Sequence, residues 1–442
     1  MGLLVPHPHL DEQQERYLEY LYRFGKDETR ALNARRLARF LSTLEFIERQ
    51  GLVKNANYKV GLNEMSDWYE EELSQRFSSS SPPFPTTEAA SRSSSSSSAA
   101  STTAPAASPT PTPATKSLNW ASSDNRLGKS ILPPIRNQGV CGACWSFVAV
   151  AAVEASVHLN SNLESPLPLS AQELIDCDTA INRGCAGGNP LYAYEYTMVF
   201  GLTSWADYGY KERAGPCQRK KYRAQAGITG FVRLAPNDQT QLLEAVSASP
   251  VAVGICGTDQ GLINYESGIY DASDCCVTQN HAILLIGYGH DSRSQLDYWL
   301  VYNSWGESWG EKGYGRIVRR SGAETAGSNS TGQCGLATSP CAAIGGYLIH
   351  PEKLGNSSED QKAEDFAKQM VAKRYQLALQ LWLENNWRMI MFGASLCLLA
   401  VSLFLLWIDY SSAARSEKCG GEEVGEGSYQ EVMAEEEEGG YG

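Results

Sequence analysis

The sequence predicts an α+β protein, in which one large domain with a helical half and a strand-rich half is preceded by a helical segment and followed by a transmembrane helix. Three patterns carry that prediction. Apolar residues recur at helical spacing before residue 78 and again from Trp145 to Asn160. Between Pro250 and Tyr302 the pattern changes to short apolar runs divided by glycine-rich turns. Met389 to Ile408 is then a run of about twenty residues without a charge, long enough to cross the hydrocarbon of a bilayer.

Residues 1–77 contain two amphipathic stretches, Tyr17, Leu18, Leu21 and Tyr22, then Leu37, Phe40, Leu44 and Ile47, which predict two helices. Residues 78–115 are Ser, Thr, Pro and Ala with almost no bulky apolar groups. Such a segment cannot bury enough surface to offset its ordering entropy, so it reads as a disordered linker whose composition permits O-glycosylation. Residues 116–350, beginning near Leu118-Asn119-Trp120, are enough for two cores. The first half reads helical, at Trp145–Asn160 and at Leu169-Ser170-Ala171-Gln172-Glu173-Leu174. The second half reads as strands at Pro250–Val253, His281–Ile286 and Tyr298–Tyr302. Residues 351–388 form a polar stalk with an amphipathic stretch from Phe366 to Leu383. Residues 389–408 are the transmembrane helix, and 409–442 an acidic tail in which Tyr429-Gln430-Glu431-Val432 has the form of a tyrosine-based sorting signal.

The net charge is −13 over 442 residues, which argues against nucleic acid as a partner. Six histidines lie without metal-ligand spacing, and Gly187-Gly188 follows a cysteine and not a strand-to-helix turn. No metal and no cofactor are expected. Twelve cysteines are present, ten of them between Cys141 and Cys341, and bridges among them imply an oxidising compartment. The sequons at Asn329 and Asn356 point the same way. Leu3-Leu4-Val5 before Pro6 is too short for a signal-peptide core, so a lumenal placement implies a leader upstream of residue 1. Without one, the span near the C-terminus reads as a tail anchor, with a cytosolic domain and reduced thiols.

The residues that carry chemistry lie in three local contexts. Gln138-Gly139-Val140-Cys141-Gly142-Ala143-Cys144-Trp145-Ser146-Phe147 sets a thiol, Cys144, at the start of the apolar helical run. Asn280-His281-Ala282 and Asn303-Ser304-Trp305-Gly306 follow downstream. A free thiol of pKa about 8.5 is only a few per cent thiolate at neutral pH. A helix N-terminus and an imidazolium partner both lower that value. His281 is the candidate for that partner, and for the general acid that protonates a leaving amine. Asn303 is the candidate to hold its ring. Gln138 and the backbone N–H of Cys144 are candidates for an oxyanion hole.

A Cys, a His and an Asn in this order and these contexts resemble the papain family of cysteine proteases, which is identified by the string C-G-[SA]-C-[WY]. The Asn falls slightly late, and the polar stretch His290 to Asp297 accommodates the extra residues. The resemblance covers residues 116–350. It implies a papain-like two-subdomain fold, with Cys144 on a helical subdomain, His281 and Asn303 on a β-barrel-like one, and substrate in the groove between. It also implies that Trp305 shields the Asn–His bond and that Gly187 and Gly188 meet the substrate backbone. Asn189, Pro190, Gly254, Gln279 and Ser339 would wall the subsite for the second side chain upstream of the cut. By the same resemblance Cys141 pairs with Cys185 and Cys177 with Cys217, and a third bridge joins Cys334 to Cys276 or its neighbour Cys275. Cys256 with Cys341 is a further pairing, and one thiol is left over.

The resemblance also makes residues 1–77 an inhibitory pro-segment. Arg36, Phe40 and Ile47 fit the family's interspersed ERFNIN pattern, although its Glu and two Asn positions fall on Leu32, Thr43 and Gly51. Gly61-Leu62-Asn63-Glu64-Met65-Ser66-Asp67 resembles the G-x-N-x-F-x-D segment, with Met65 in place of the aromatic. The expected function is a membrane-anchored cysteine endopeptidase made as a zymogen, acting on peptides and proteins in an endosomal-lysosomal or vacuolar lumen. Carboxylates of the pro-segment place its self-processing near pH 4–5. The rival readings are an inactive papain-fold binding or adhesion module, and a peptide ligase using the same acyl-enzyme.

Overall fold

The N-terminal segment is built around one carboxylate. Helix α1 (Glu12–Arg23) and helix α2 (Ala34–Gly51) are joined by a 3-10 turn (Glu28–Leu32). Asn33 caps α2, its Oδ1 accepting the N–H groups of Arg35 and Arg36. The two helices meet through Tyr17, Tyr20, Leu21 and Phe40. Tyr20, and not Tyr22, faces this core, and Tyr22 is exposed. The choice follows from hydrogen bonding. The Tyr17 and Tyr20 hydroxyls donate to Asp67 at 2.9 and 3.2 Å, and Tyr20 also reaches the Asn63 carbonyl. Lys26 and Arg30 ion-pair with the same carboxylate, which is itself fully buried. Burial would raise the pKa of Asp67, but Lys26, the tyrosine hydroxyls and Arg30 outweigh it and hold the group below its ordinary value.

This segment is stitched onto the larger body. Strand β1 (Tyr58–Val60) pairs antiparallel with β5 (Tyr265–Tyr270), Tyr58 opposite Gly268, and Asn63 Nδ2 donates to the Ile263 carbonyl at 2.7 Å. A short helix, α3 (Glu70–Arg76), then leads into the body, its Glu72 paired with Arg36 at 2.7 Å. The body comprises β2 (Leu118–Asn119), helices α4 (Cys144–Asn160), α5 (Ala171–Cys177) and α6 (Pro190–Phe200), β3 (Ala226–Arg233), α7 (Gln239–Ala248), β4 (Val251–Ile255), α8 (Gln260–Ile263), β5, β6 (His281–Asp291), β7 (Leu296–Tyr302), β8 (Tyr314–Val318) and β9 (Cys341–Leu348). The strands form one sheet in the order β1-β5-β8-β7-β6-β4-β9-β3, with β2 on β6. Among the described residues only β5 and β8 run parallel.

Helix α4 packs against β6, β9 and α6 at once, so every residue from Cys144 to His158 is buried. The sequence suggested an apolar stripe. A helix enclosed on all sides has none, and its small residues (Ala149, Ala151, Ala152, Ala155) let the neighbours approach. Its one buried carboxylate, Glu154, takes Arg136 at 2.8 Å and the Leu169 N–H on the same oxygen, Oε1.

Among the described residues four disulfides brace the body. Cys141–Cys185 and Cys177–Cys217 form as expected. Cys334 pairs with Cys275 and not with Cys276, which instead joins Cys256. The pairing of Cys256 with Cys341 is therefore excluded. Cys341 opens β9 opposite Ala252 on the adjacent strand and remains a buried free thiol, as does Cys144.

The computed structural model describes residues 12–53, 56–77, 117–161, 163–320, 331–349, 395 and 400–407. The linker 78–115, the sequons at Asn329 and Asn356, the stalk and the tail lie outside the described residues. Of the stretch 389–408, which falls in a second unit spanning Gln376–Gly442, only Ser395 and residues 400–407 are described, and these are helical. Among the described residues no helix is long and apolar enough to cross a membrane.

Asp67→Asn in a chain that also carries Cys144→Ala should uncouple α1 from the loop it holds. Breaking a buried, multiply paired carboxylate typically costs about 3–5 kcal/mol, read as a loss of the N-terminal segment's stability in denaturant unfolding. Because the folded-state pKa is depressed, the parent's contribution is full above the unfolded value near 4 and disappears only as pH falls through the lower folded value. Unfolding of the parent should therefore show this loss below about pH 4, and Asp67→Asn should shrink that dependence to the part that Glu71 and Glu72 carry.

Candidate active site

Cys144 is the first residue of α4, and the Cys141–Cys185 bridge and the Gly142 N–H to Cys185 carbonyl bond (3.0 Å) fix the chain entering it. The helix therefore begins with its free N–H groups around the sulfur. The opposite wall is β6. Its second residue, Ala282, donates its N–H to the Cys144 sulfur at 3.4 Å, which locks helix to sheet at the thiol. His281, the first residue of β6, lies beside that contact.

The imidazole is oriented by what it can bond. Its Nε2 lies 2.8 Å from Asn303 Oδ1. That oxygen only accepts and also takes the Ser304 N–H at 2.8 Å, so Nε2 must carry the hydrogen. Nδ1 is then the bare acceptor, and among the described residues no group bonds it. Trp305 stacks on the ring at 4.4 Å between centroids, excluding water from the Asn–His bond. Gln138 is equally fixed. Its Oε1 accepts from the Ser304 hydroxyl at 2.6 Å, which turns its Nε2 toward the Cys141 carbonyl at 2.9 Å and the Arg76 carbonyl at 3.4 Å. Ser304 was not singled out in the sequence, although it adjoins Asn303.

The N-terminal segment occupies this site. The Phe77 ring meets His281 and Trp305 edge-on, and the Arg76 guanidinium lies between Trp68 and Trp305, donating to Asn137 Oδ1 at 3.1 Å. Burial dominates the titration of every group beneath. It pushes the Cys144 thiol up to about 11, against the smaller opposing effects of the Ala282 and Trp145 N–H groups and of Arg76. It pulls His281 down to about 3, with the Asn303 bond working the other way and Arg76 adding to the fall. Arg76 itself is lowered to about 10. Covered in this way, the pair is a neutral thiol beside a neutral imidazole.

The remaining residues divide between two elements. Gly188 is held so close to Trp145 and Asn182 that a Cβ would stand 2.7 and 2.6 Å from them, and Asn189 caps α6, which Pro190 opens. Gly187 immediately precedes them. On the sheet side, Gly254, Gln279 and Ser339 come together. Gln279 Nε2 donates to the Gly254 and Gly335 carbonyls at 2.8 and 2.9 Å, and its Oε1 accepts from the Ser339 hydroxyl.

Residues 118–344 match the model of the papain family cysteine proteases. This chain belongs to the papain family. It is 34% identical over 287 residues to germination-specific cysteine protease 1 of Arabidopsis thaliana, covering 64% of this chain and 70% of that protein. Fruit bromelain of Ananas comosus is 30% identical, over 75% of this chain and 86% of its own. Among solved structures, recombinant stem bromelain precursor superposes with a TM-score of 0.60 at 28% identity, covering 76% of this chain and 99% of that one. Digestive procathepsin L 3 from the midgut of Tenebrio molitor larvae gives 0.59 at 26% identity, over 76% of this chain and 100% of its own. The papain-family chain is thus a cysteine-type endopeptidase with a papain-like α+β fold, and its N-terminal segment is that of a proform.

In the intact proform, alkylation of Cys144 by iodoacetamide should stay slow through neutral pH and rise only toward pH 11, the value its burial imposes. After the pro-segment is removed, labelling should be fast at neutral pH. Equal rates before and after processing would contradict the suppression of the thiol.

Proposed function

We propose that this papain-family endopeptidase hydrolyses peptide bonds through Cys144, His281 and Asn303, with Gln138 and the Cys144 N–H as the oxyanion hole. The observation that carries this reading is the single tautomer that Asn303 dictates, leaving Nδ1 of His281 bare as acceptor beside the helix that carries Cys144. The thiol gives its proton to Nδ1, and the sulfur bonds to the substrate carbonyl carbon. The oxygen gathers charge against Gln138 Nε2 and the Cys144 N–H. The carbon–nitrogen bond then breaks as Nδ1 returns the proton to the leaving amine, giving a thioester. Water repeats the cycle, losing its proton to Nδ1 and releasing the acid, and the thiol is restored.

The pro-segment inhibits by covering His281 with Phe77 and presenting the Arg76 carbonyl to Gln138. Its release follows from the carboxylates that hold its own helices and loop together. Asp67, Glu71 and Glu72 are all depressed: Asp67 and Glu72 against the cost of burial, Glu71 by its bond to Arg35. These groups stay ionised until the pH falls below their ordinary values, so self-processing within 78–117 belongs below about pH 4 and not at the pH 4–5 that unperturbed carboxylates suggest.

The anchored form of the enzyme belongs to the same proposal. Met389–Ile408 would span the membrane, with the catalytic domain in an endosomal-lysosomal or vacuolar lumen. Four disulfides and the sequons at Asn329 and Asn356 support that side of the membrane.

Cys144→Ala should abolish turnover and labelling by a thiol-directed epoxide while leaving the unfolding midpoint unchanged. Gln138→Ala should lower kcat about 10²–10³-fold with the fold intact, as loss of one oxyanion donor does elsewhere. Turnover surviving in Cys144→Ala would end the mechanism. For the topology, endoglycosidase should lower the apparent mass of the protein from its native cell, and Asn329→Gln with Asn356→Gln should remove that shift. An unglycosylated chain whose cysteines all alkylate before reduction would place the domain in the cytosol.

A further inference from the structure

The ring of Phe77 fills a pocket beside the imidazole. Its centroid lies 6.1 Å from that of His281 and 5.6 Å from that of Trp305, edge-on to both. Gly257, whose N–H donates to Asn280 Oδ1 at 2.7 Å, also faces the ring. A Cβ on Gly257 would stand 3.0 Å from a Phe77 ring carbon and 2.5 Å from the His281 Cβ, so the space of a side chain at 257 is left to the ring. The Cys256–Cys276 bridge pins the residue before Gly257 to the segment that leads into His281.

The chemistry decides which substrate residue enters this space. The leaving amine takes its proton from His281, so the nitrogen of the first residue of the leaving fragment must come to the imidazole. Its side chain then lies on the His281 and Trp305 side of the broken bond, while the acyl carbonyl points to Gln138. Phe77 shows that a phenyl ring is buried there in the edge-on contacts that aromatic pairs favour. We propose that the enzyme cuts by preference before an aromatic side chain, which takes the space that Phe77 fills against His281, Trp305 and Gly257. This rests on the Cys144–His281 mechanism above.

The test uses enzyme released from the full chain and titrated with the epoxide, so that only active molecules are counted. Matched peptides carry Phe, Tyr, Trp, Leu, Ala or Gly after the cut, and mass spectrometry of the products locates the cleavage. The kcat/KM for Phe should exceed that for Gly by about tenfold or more, the scale of discrimination an apolar pocket gives. Gly257→Ala should shrink that ratio. A flat series, or Leu above Phe, overturns the proposal. A coumarylamide substrate, whose leaving group carries no amino-acid side chain, meanwhile reports whether the thiol mechanism stands. Enzyme that neither takes up the epoxide nor turns over the coumarylamide overturns the mechanism and this proposal together.

Discussion

The contact between the Ala282 N–H and the Cys144 sulfur, at 3.4 Å, is where the helical and sheet halves of the protein meet at their chemistry. Neither half holds a usable site alone. Helix α4 supplies a thiol at a helix N-terminus, and β6 supplies an imidazole whose tautomer Asn303 dictates. The fold brings the two together by burying α4 on every side, so the sulfur cannot move without disturbing β6 and β9. That burial has a second consequence. A desolvated thiol and a desolvated imidazole both favour their neutral forms, so the enclosure that positions the pair also quiets it while Phe77 and Arg76 cover it.

In the proposed mechanism the pro-segment excludes solvent from the pair as well as blocking it, and contacts away from the site hold it there. It has two. The β1–β5 pairing supplies backbone hydrogen bonds that do not titrate, and the Asp67 cluster supplies charged ones that do. The cluster fixes α1 and the loop before α3, and α3 carries Arg76 and Phe77 into the cleft. In the proposed mechanism, protonation of a carboxylate far from Cys144 would reach the site through this short helix, whose Leu73 and Arg76 are buried.

The site was legible where function confines chemistry to short strings. Cys144, His281, Asn303 and Gln138 each sit among neighbours that the geometry requires within a few residues. What the sequence hid depends on phase and on distance. Tyr20 rather than Tyr22 enters the core because only its hydroxyl reaches Asp67, a partner 47 residues away. Helix α4 has an apolar repeat at helical spacing, but its intervening residues, Ser146, Glu154 and Ser156 among them, are buried as well, because the helix is enclosed on every side. Cys275 and Cys276 are adjacent, so spacing could not choose between them. The choice follows from the two strands and loops that pass on either side, which place Cys334 by one and Cys256 by the other. Arg76 and Phe77 carry no motif, and their role depends wholly on where α3 ends.

Gln279 shows why residue identity alone left the subsite's character open. As a letter it makes the wall polar. In the structure its amide is spent: both hydrogens go to backbone carbonyls of Gly254 and Gly335, and its oxygen accepts from Ser339. An amide offers two donors and two lone pairs, so a single lone pair remains. The side chain acts as a strap between β4 and the loop before β9, and a Cβ on Gly254 would come within 2.8 Å of it. Whatever approaches this wall meets the edge of a hydrogen-bonded network with no free donors from Gln279. Polarity written in the sequence has become structure, and the selectivity it suggested passes to the surfaces left uncommitted, among them the faces of His281 and Trp305 that Phe77 now covers.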